Sequence, residues 1–318
     1  MKINSSPDSK WKESRLNRRE FLKTQLKGAM WMAAGASGIL MPKPVIASAL
    51  PDVGVAKGAP GPATRAVVEL IGGMKTFVKK GSRVVIKPNM SFNHTPEEAT
   101  TTHPEVVKEL VAMCLEAGAS RVRVLDNPFT QTLAAKNTEK VCSVIKKGMV
   151  HAIVDSSFYK PVEITTGRKF KNTDVMQDVL EADVLIAAPV AKSHSSTGVS
   201  LSIKGMMGLI WDRETMHRDY DLSQAIVDLS SLLKPQLAIV DATRVLTTNG
   251  PFGPGKVVKM DTVVASGDMV AADAKTVQMC KWYGRRFAPR QIKHIRYAHE
   301  QGLGRMDIEN LSVKRIDV

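Results

Sequence analysis

Four short apolar runs, each closed by polar or charged residues, constrain this chain more than any other feature. They are Arg83 to Lys87, Arg121 to Leu125 before Asp126, Val184 to Ala188, and Gln236 to Val240 before Asp241. Each is too short for a buried helix and reads as a strand covered on both faces. Between them lie segments of helical period. Val67, Leu70, Ile71, Met74, Phe77 and Val78 predict a helix within Pro62 to Lys80. Pro104, tolerated in a first helical turn, opens another that ends at Gly118. Further helices are predicted near Thr138 to Lys147, Val175 to Glu181, Leu222 to Leu233, Asp268 to Tyr283 and Pro289 to Glu300, with β-leaning stretches at His151 to Ile164 and Val257 to Ala265. The alternation predicts an α/β fold: a largely parallel sheet with helices on both faces.

The first 49 residues stand outside that pattern. Asn17-Arg18-Arg19-Glu20-Phe21-Leu22-Lys23 has the form of a twin-arginine export signal, followed by a weakly apolar stretch from Gly28 to Met41 and small residues at Ala47-Ser48-Ala49. A signal peptide over 1–49 is expected, then a Pro/Gly/Ala-rich linker over 50–61 and a single α/β domain over 62–318. The expected location is periplasmic or extracytoplasmic, with the twin-arginine translocase as the export partner and a soluble protein after cleavage.

The chain carries a formal charge of +14. The first 49 residues hold nine basic and three acidic side chains, so the remainder keeps a moderate basic excess that favours anionic ligands. Scarce aromatics, with no arginine-rich run, argue against nucleic acid. Cys114, Cys142 and Cys280 are far apart and form no CxxC pair, so neither a disulfide framework nor an in-chain iron–sulfur cluster is expected. Cys114 falls on the apolar face of its helix and reads as a small buried hydrophobe.

Ligands of open α/β sheets sit beyond the carboxyl ends of the strands, and those positions are unusually polar. After the first run come Lys87-Pro88-Asn89, with Asn93, His94 and Thr100 to Pro104 downstream; after the others come Asp126-Asn127-Pro128, Lys192-Ser193-His194 with Ser202-Ile203-Lys204-Gly205, and Asp241. Lys87, Asn89 and Lys204 are candidate ligand-binding residues, joined by Gly253 and Gly255 in the loop from Gly250 to Lys256. That loop matches neither a P-loop nor a dinucleotide turn. His194 and Lys192 are the catalytic candidates, His194 because an unperturbed imidazole titrates near neutrality. His103, Asp126 and Asp241 would suit a borderline metal ion if they converge. No serine-hydrolase elbow is present.

These segments together resemble the domain-of-unknown-function family 362 over roughly Ser82 to Tyr283. The resemblance is carried by Val85 to Asn89, Thr101 to Val107, Asp126-Asn127-Pro128, Ala182 to Ile186, Lys192-Ser193-His194 and Ser202 to Gly208. Ile226 to Leu229, Ile239 to Ala242, Gly250-Pro251 and Ala271 to Ala274 complete it. It implies the same α/β class and the same rim residues, and it supplies no reaction. Some members of that family carry an added iron–sulfur module with its cysteine ligands, and no such cysteine cluster occurs in this sequence. Where the family shows a Pro-Lys-Leu-Lys-Thr-His type of segment, this chain has Val190 in place of the first lysine. Two functions are therefore expected as alternatives. One is an exported protein that binds a small anion, cofactor or metal at the strand ends. The other is a non-catalytic partner or assembly factor of an exported redox complex.

Overall fold

The computed structural model describes residues 50–92, 94–128 and 149–318. The signal segment, Asn93, Cys142 and the helix expected at Thr138 to Lys147 lie outside the described residues.

A large sheet runs in the order β14 (Val313–Asp317), β1 (Val53–Lys57), β11 (Val257–Ser266), β10 (Leu237–Leu246), β7 (Val184–Ala188), β2 (Arg83–Pro88), β3 (Arg121–Asp126), β4 (Val150–Ala152). Every neighbouring pair on this path is parallel except the two that flank β11. The expected largely parallel sheet is thus present, with one reversed strand. β8 (Val190–His194) continues the chain after Pro189, pairs with the far half of β10 and holds the short β9 (Gly198–Val199). Two small ribbons complete the β structure, β5 (Tyr159–Glu163) with β6 (Asn172–Met176) and β12 (Lys281–Trp282) with β13 (Arg285–Arg286).

Helices cover both faces. α1 (Pro60–Leu70) and α2 (Pro104–Glu116) pack on one, against Val84, Ile86, Val124, Ile186 and Ile239. On the other, α4 (Ser202–Gly205), α6 (Leu222–Leu232), α7 (Met269–Met279) and α8 (Lys293–Glu300) meet Val85, Leu125, Leu185 and Val240. The short α3 (Gln177–Leu180) and α5 (Glu214–Asp219) lie in connections. Successive strand residues face opposite layers, so Lys87 follows Val85 toward the α4 side. Asp241, in step with Ile239, points toward α2.

Several expectations need correction. The linker expected at 50–61 contains β1, buried and hydrogen-bonded to β11 and β14. Composition hides it because Gly54 interrupts the run. A Cβ there would be a tight fit, 3.0 Å from Val67 Cγ2 on α1. The helix predicted within Pro62 to Lys80 begins at Pro60 and stops at Leu70, before Gly72 and Gly73 at φ 108° and 78°. Val175 to Glu181 divides into the end of β6 and the four residues of α3. Lys192 and His194, which follow the Val184 to Ala188 run, lie on a strand of their own, β8. Other expectations match: Pro104 occupies the first turn of α2, Asp268 caps α7, and Cys114 is buried.

Candidate functional site

The carboxyl ends of β2 and β3 place Lys87 beside Asp126. Lys87 Nζ lies 3.1 Å from Asp126 Oδ1, and the two side chains are 2% and 1% exposed. Met90 N–H and Ser91 Oγ–H donate to the other carboxylate oxygen at 2.7 and 3.3 Å. Burial pulls the Lys87 ammonium below its ordinary pKa, with Asp126 opposing that shift. Gly208 makes the approach feasible: a Cβ there would lie 2.4 Å from both Asp126 Oδ1 and Lys87 Cε.

Two further lysines are buried within electrostatic reach. Lys192, 3% exposed, donates to Thr100 O at 2.7 Å and sits 4.7 Å from the centre of the Phe92 ring. Burial, partly offset by Asp126, pushes its pKa down to about 7. Lys204, 8% exposed, has a single hydrogen-bond partner among the described residues, the Met207 thioether at 3.5 Å. Burial and nearby Arg213 push it to about 7 as well. Arg213 donates to Pro128 O at 3.2 Å; burial lowers its pKa, with Asp126 and Tyr159 opposing that shift. Among the described residues, the cluster thus sets Lys87, Lys192, Lys204 and Arg213 against Asp126.

The histidines beside it are all pushed below their ordinary pKa. Burial, then Lys204 and Lys192, push His194 down to about 2, so it does not titrate near neutrality as expected from sequence. Ser196 N–H donates to His194 Nδ1 at 3.2 Å, which leaves the proton on Nε2 and makes that atom a donor. His294 on α8 is 0% exposed, neither ring nitrogen has a partner among the described residues, and burial with Lys204 nearby pushes it to about 3. His217 on α5 binds Arg213 O through Nδ1 at 2.8 Å and faces the same cations from the rim.

Lys204 is held in place by a clamp. Ser202 and Ile203, at the start of α4, donate their N–H groups to the two oxygens of Asp273 on α7, each at 2.9 Å. Asp273 is fully buried, which pushes it up to about 7 against those two bonds. Asp228 on α6 does similar work elsewhere, accepting from Lys169 and Phe170 N–H at 2.8 and 2.9 Å.

The remaining candidates have other partners. Asn89 Oδ1 accepts from Val190 N–H at 3.0 Å and ties the end of β2 to β8. Asp241 accepts from His103 N–H at 2.8 Å and from Thr243 N–H and Oγ at 3.0 and 2.6 Å. The His103 imidazole caps α2 through Glu105 N–H at 3.2 Å. The metal set of His103, Asp126 and Asp241 is therefore not assembled: Asp126 is taken up by Lys87, Met90 and Ser91, and Asp241 by the His103 backbone and Thr243. No group of three or more His, Cys, Asp or Glu able to hold a metal occurs among the described residues. Gly253 spends its N–H on Asn249 O at 2.9 Å. Gly255 lies so close to Thr248 O that a Cβ would be 2.0 Å from it. The loop itself is pinned to β8 by Gly250 N–H on Ser193 Oγ at 3.0 Å, and Phe252 packs 5.1 Å from Phe92. The N–H groups of Gly250 and Gly253 are thus taken up within the fold.

Arg213 and His294 are additions that the sequence reading does not contain. Neither sits in a patterned motif; only tertiary packing brings them to Lys204.

A thylakoid-associated protein of Synechocystis sp. is 26% identical over 231 residues, a stretch that covers 66% of each chain, so this chain spans just under two thirds of that relative. The lactate racemase apoprotein from Thermoanaerobacterium thermosaccharolyticum superposes with a TM-score of 0.46 at 13% identity, covering 70% of this chain and 55% of the other, too distant to bear on activity. No helix among the described residues is long and apolar enough to cross a membrane. The matching profile is that of a domain of unknown function, DUF362, over residues 84–278, and this chain belongs to that family.

Proposed function

We propose that this protein is exported and binds a small anion bearing two or more charges at the carboxyl rim of its sheet. The observation that carries this reading is the surplus of buried positive charge. Lys87 is matched by Asp126, and Lys192, Lys204 and Arg213 have no carboxylate of their own among the described residues. An unpaired buried charge is costly. Deprotonation relieves part of that cost, as the values near 7 for Lys192 and Lys204 indicate. An anion would relieve it more fully, with the Nε2–H of His194 as an uncharged donor to a ligand oxygen.

The test is calorimetric titration of the purified full-length chain with oxalate, phosphate and sulfate at neutral pH. Saturable binding of at least one is expected, weakened roughly tenfold or more in Lys192→Met, the cost of one charge-assisted hydrogen bond. No heat with any of the three would end the proposal. Export rests on Arg18-Arg19 and the apolar stretch behind them. Cell fractionation of an Arg18→Lys/Arg19→Lys double variant is expected to find it retained in the cytoplasm, while the parent chain leaves.

A further inference from the structure

The anion-binding reading leaves one group unexplained. Lys204 is buried, yet its amine has neither a carboxylate nor a carbonyl oxygen among the described residues; a thioether is its hydrogen-bond partner. The Asp273 clamp on Ser202 and Ile203 fixes the helix that carries it. Two imidazoles lie within electrostatic reach, His194 and His294, and the ring nitrogens of His294 have no partner among the described residues. A lysine meant only to bind charge would gain from a fixed oxygen partner, as Lys192 does with Thr100 O. An amine kept free of such partners, dry and next to another cation is set up as a nucleophile.

We infer that the Lys204 amine forms an imine with the carbonyl carbon of a small 2-oxo carboxylate, whose carboxylate is held by Arg213 and Lys192. This rests on the anion-binding proposal and names its substrate class. The chemistry closes on itself. Lys204 Nζ adds to the carbonyl carbon, and the carbonyl π pair moves to oxygen, which the Nε2–H of His194 polarises. The C–O bond then breaks, the two amine protons leave with that oxygen as water, and a C=N bond remains. Nothing is oxidised or reduced. Burial, with Arg213 close by, pushes Lys204 to about 7, so about half of the amine is unprotonated at neutral pH.

The experiment is reductive trapping on the full-length chain with pyruvate and borohydride, followed by peptide mapping. The expected result is one N-carboxyethyl group on Lys204, absent from Lys204→Arg and retained in Lys275→Arg. Acetone, a ketone without the carboxylate, is expected to label Lys204 roughly tenfold less, the worth of one charge-assisted contact. Mapping on the parent chain reads the site even if Lys204→Arg does not fold. Label spread over exposed lysines, label confined to Lys192 or Lys87, or equal labelling by acetone would each overturn the inference. Oxalate binding without trapping would remove the imine and leave the anion site standing; loss of both would remove the anion reading too.

Discussion

Gly208 lies against the Lys87–Asp126 pair so closely that its missing side chain is part of the pair's geometry. A single added carbon would stand 2.4 Å from Asp126 Oδ1 and from Lys87 Cε. Asn127 N–H also bonds Gly208 O at 2.9 Å, so the backbone has little room to retreat. Gly208→Ala is therefore expected to cost about 1–3 kcal/mol by overpacking and to weaken oxalate binding. Urea unfolding checks the first and calorimetry the second. A variant as stable as the parent chain would mean that the contact relaxes freely.

Removing one member of that pair strands the other. Asp126→Asn should lower stability by about 3–5 kcal/mol, because Lys87 is left charged and buried without its counterion. Adding Lys87→Met should recover much of the loss. A double-mutant cycle with no coupling between the two positions would contradict the ion pair.

Stability should climb with pH above neutrality. Lys192 and Lys204 sit near 7 in the fold, against 10.5 as the ordinary lysine value. Between those limits the unfolded chain binds more protons than the folded one, so rising pH favours the fold, by up to about 1.4 kcal/mol per pH unit for each lysine. The clean window is about pH 8–9: His194 and His294 have titrated well below it, Asp273, pushed up to about 7, acts in the opposite sense around neutrality, and the Cys114 and Cys280 thiols, pushed up to about 12, do the same above the window. Lys204→Met should be more stable than the parent at pH 7, with the gap narrowing toward pH 9. Parallel pH curves for the two chains would refute this.

His194 is expected to stay neutral across about pH 5–8, where a free imidazole would change state. Its ring signals in an NMR titration should not move. A midpoint near 6.5 would show that the surrounding lysines do not act on it as the structure indicates.

Asp241 belongs to the opposite layer, and its variants should separate folding from binding. Asp241→Asn removes charge from the acceptor of His103 and Thr243 and should cost roughly 1–2 kcal/mol of stability. Oxalate affinity should stay within about twofold, since no shared partner couples the two positions. A large loss of affinity would place Asp241 in the anion site after all.

Local pattern was sufficient for the parallel strands β2, β3, β7 and the first half of β10, because short, mostly apolar runs rich in valine and isoleucine have few other ways to be buried. It also placed the ends of α2, through Pro104 and Gly118, and it pointed to Lys87, Asp126, Lys192, His194 and Lys204 as rim residues. It could not reveal β1, whose glycine-broken run becomes a strand only between β11 and β14. Nor could it divide the rim. Lys87 and Asp241 look alike in sequence, each closing an apolar run, yet strand pairing and the two-residue alternation send them to opposite faces. The charge states were equally out of reach, because a lysine near 7 and a histidine near 2 follow from burial and from neighbours many residues away. Arg213 and His294 reach the cluster by packing alone, and packing is a property of the whole chain.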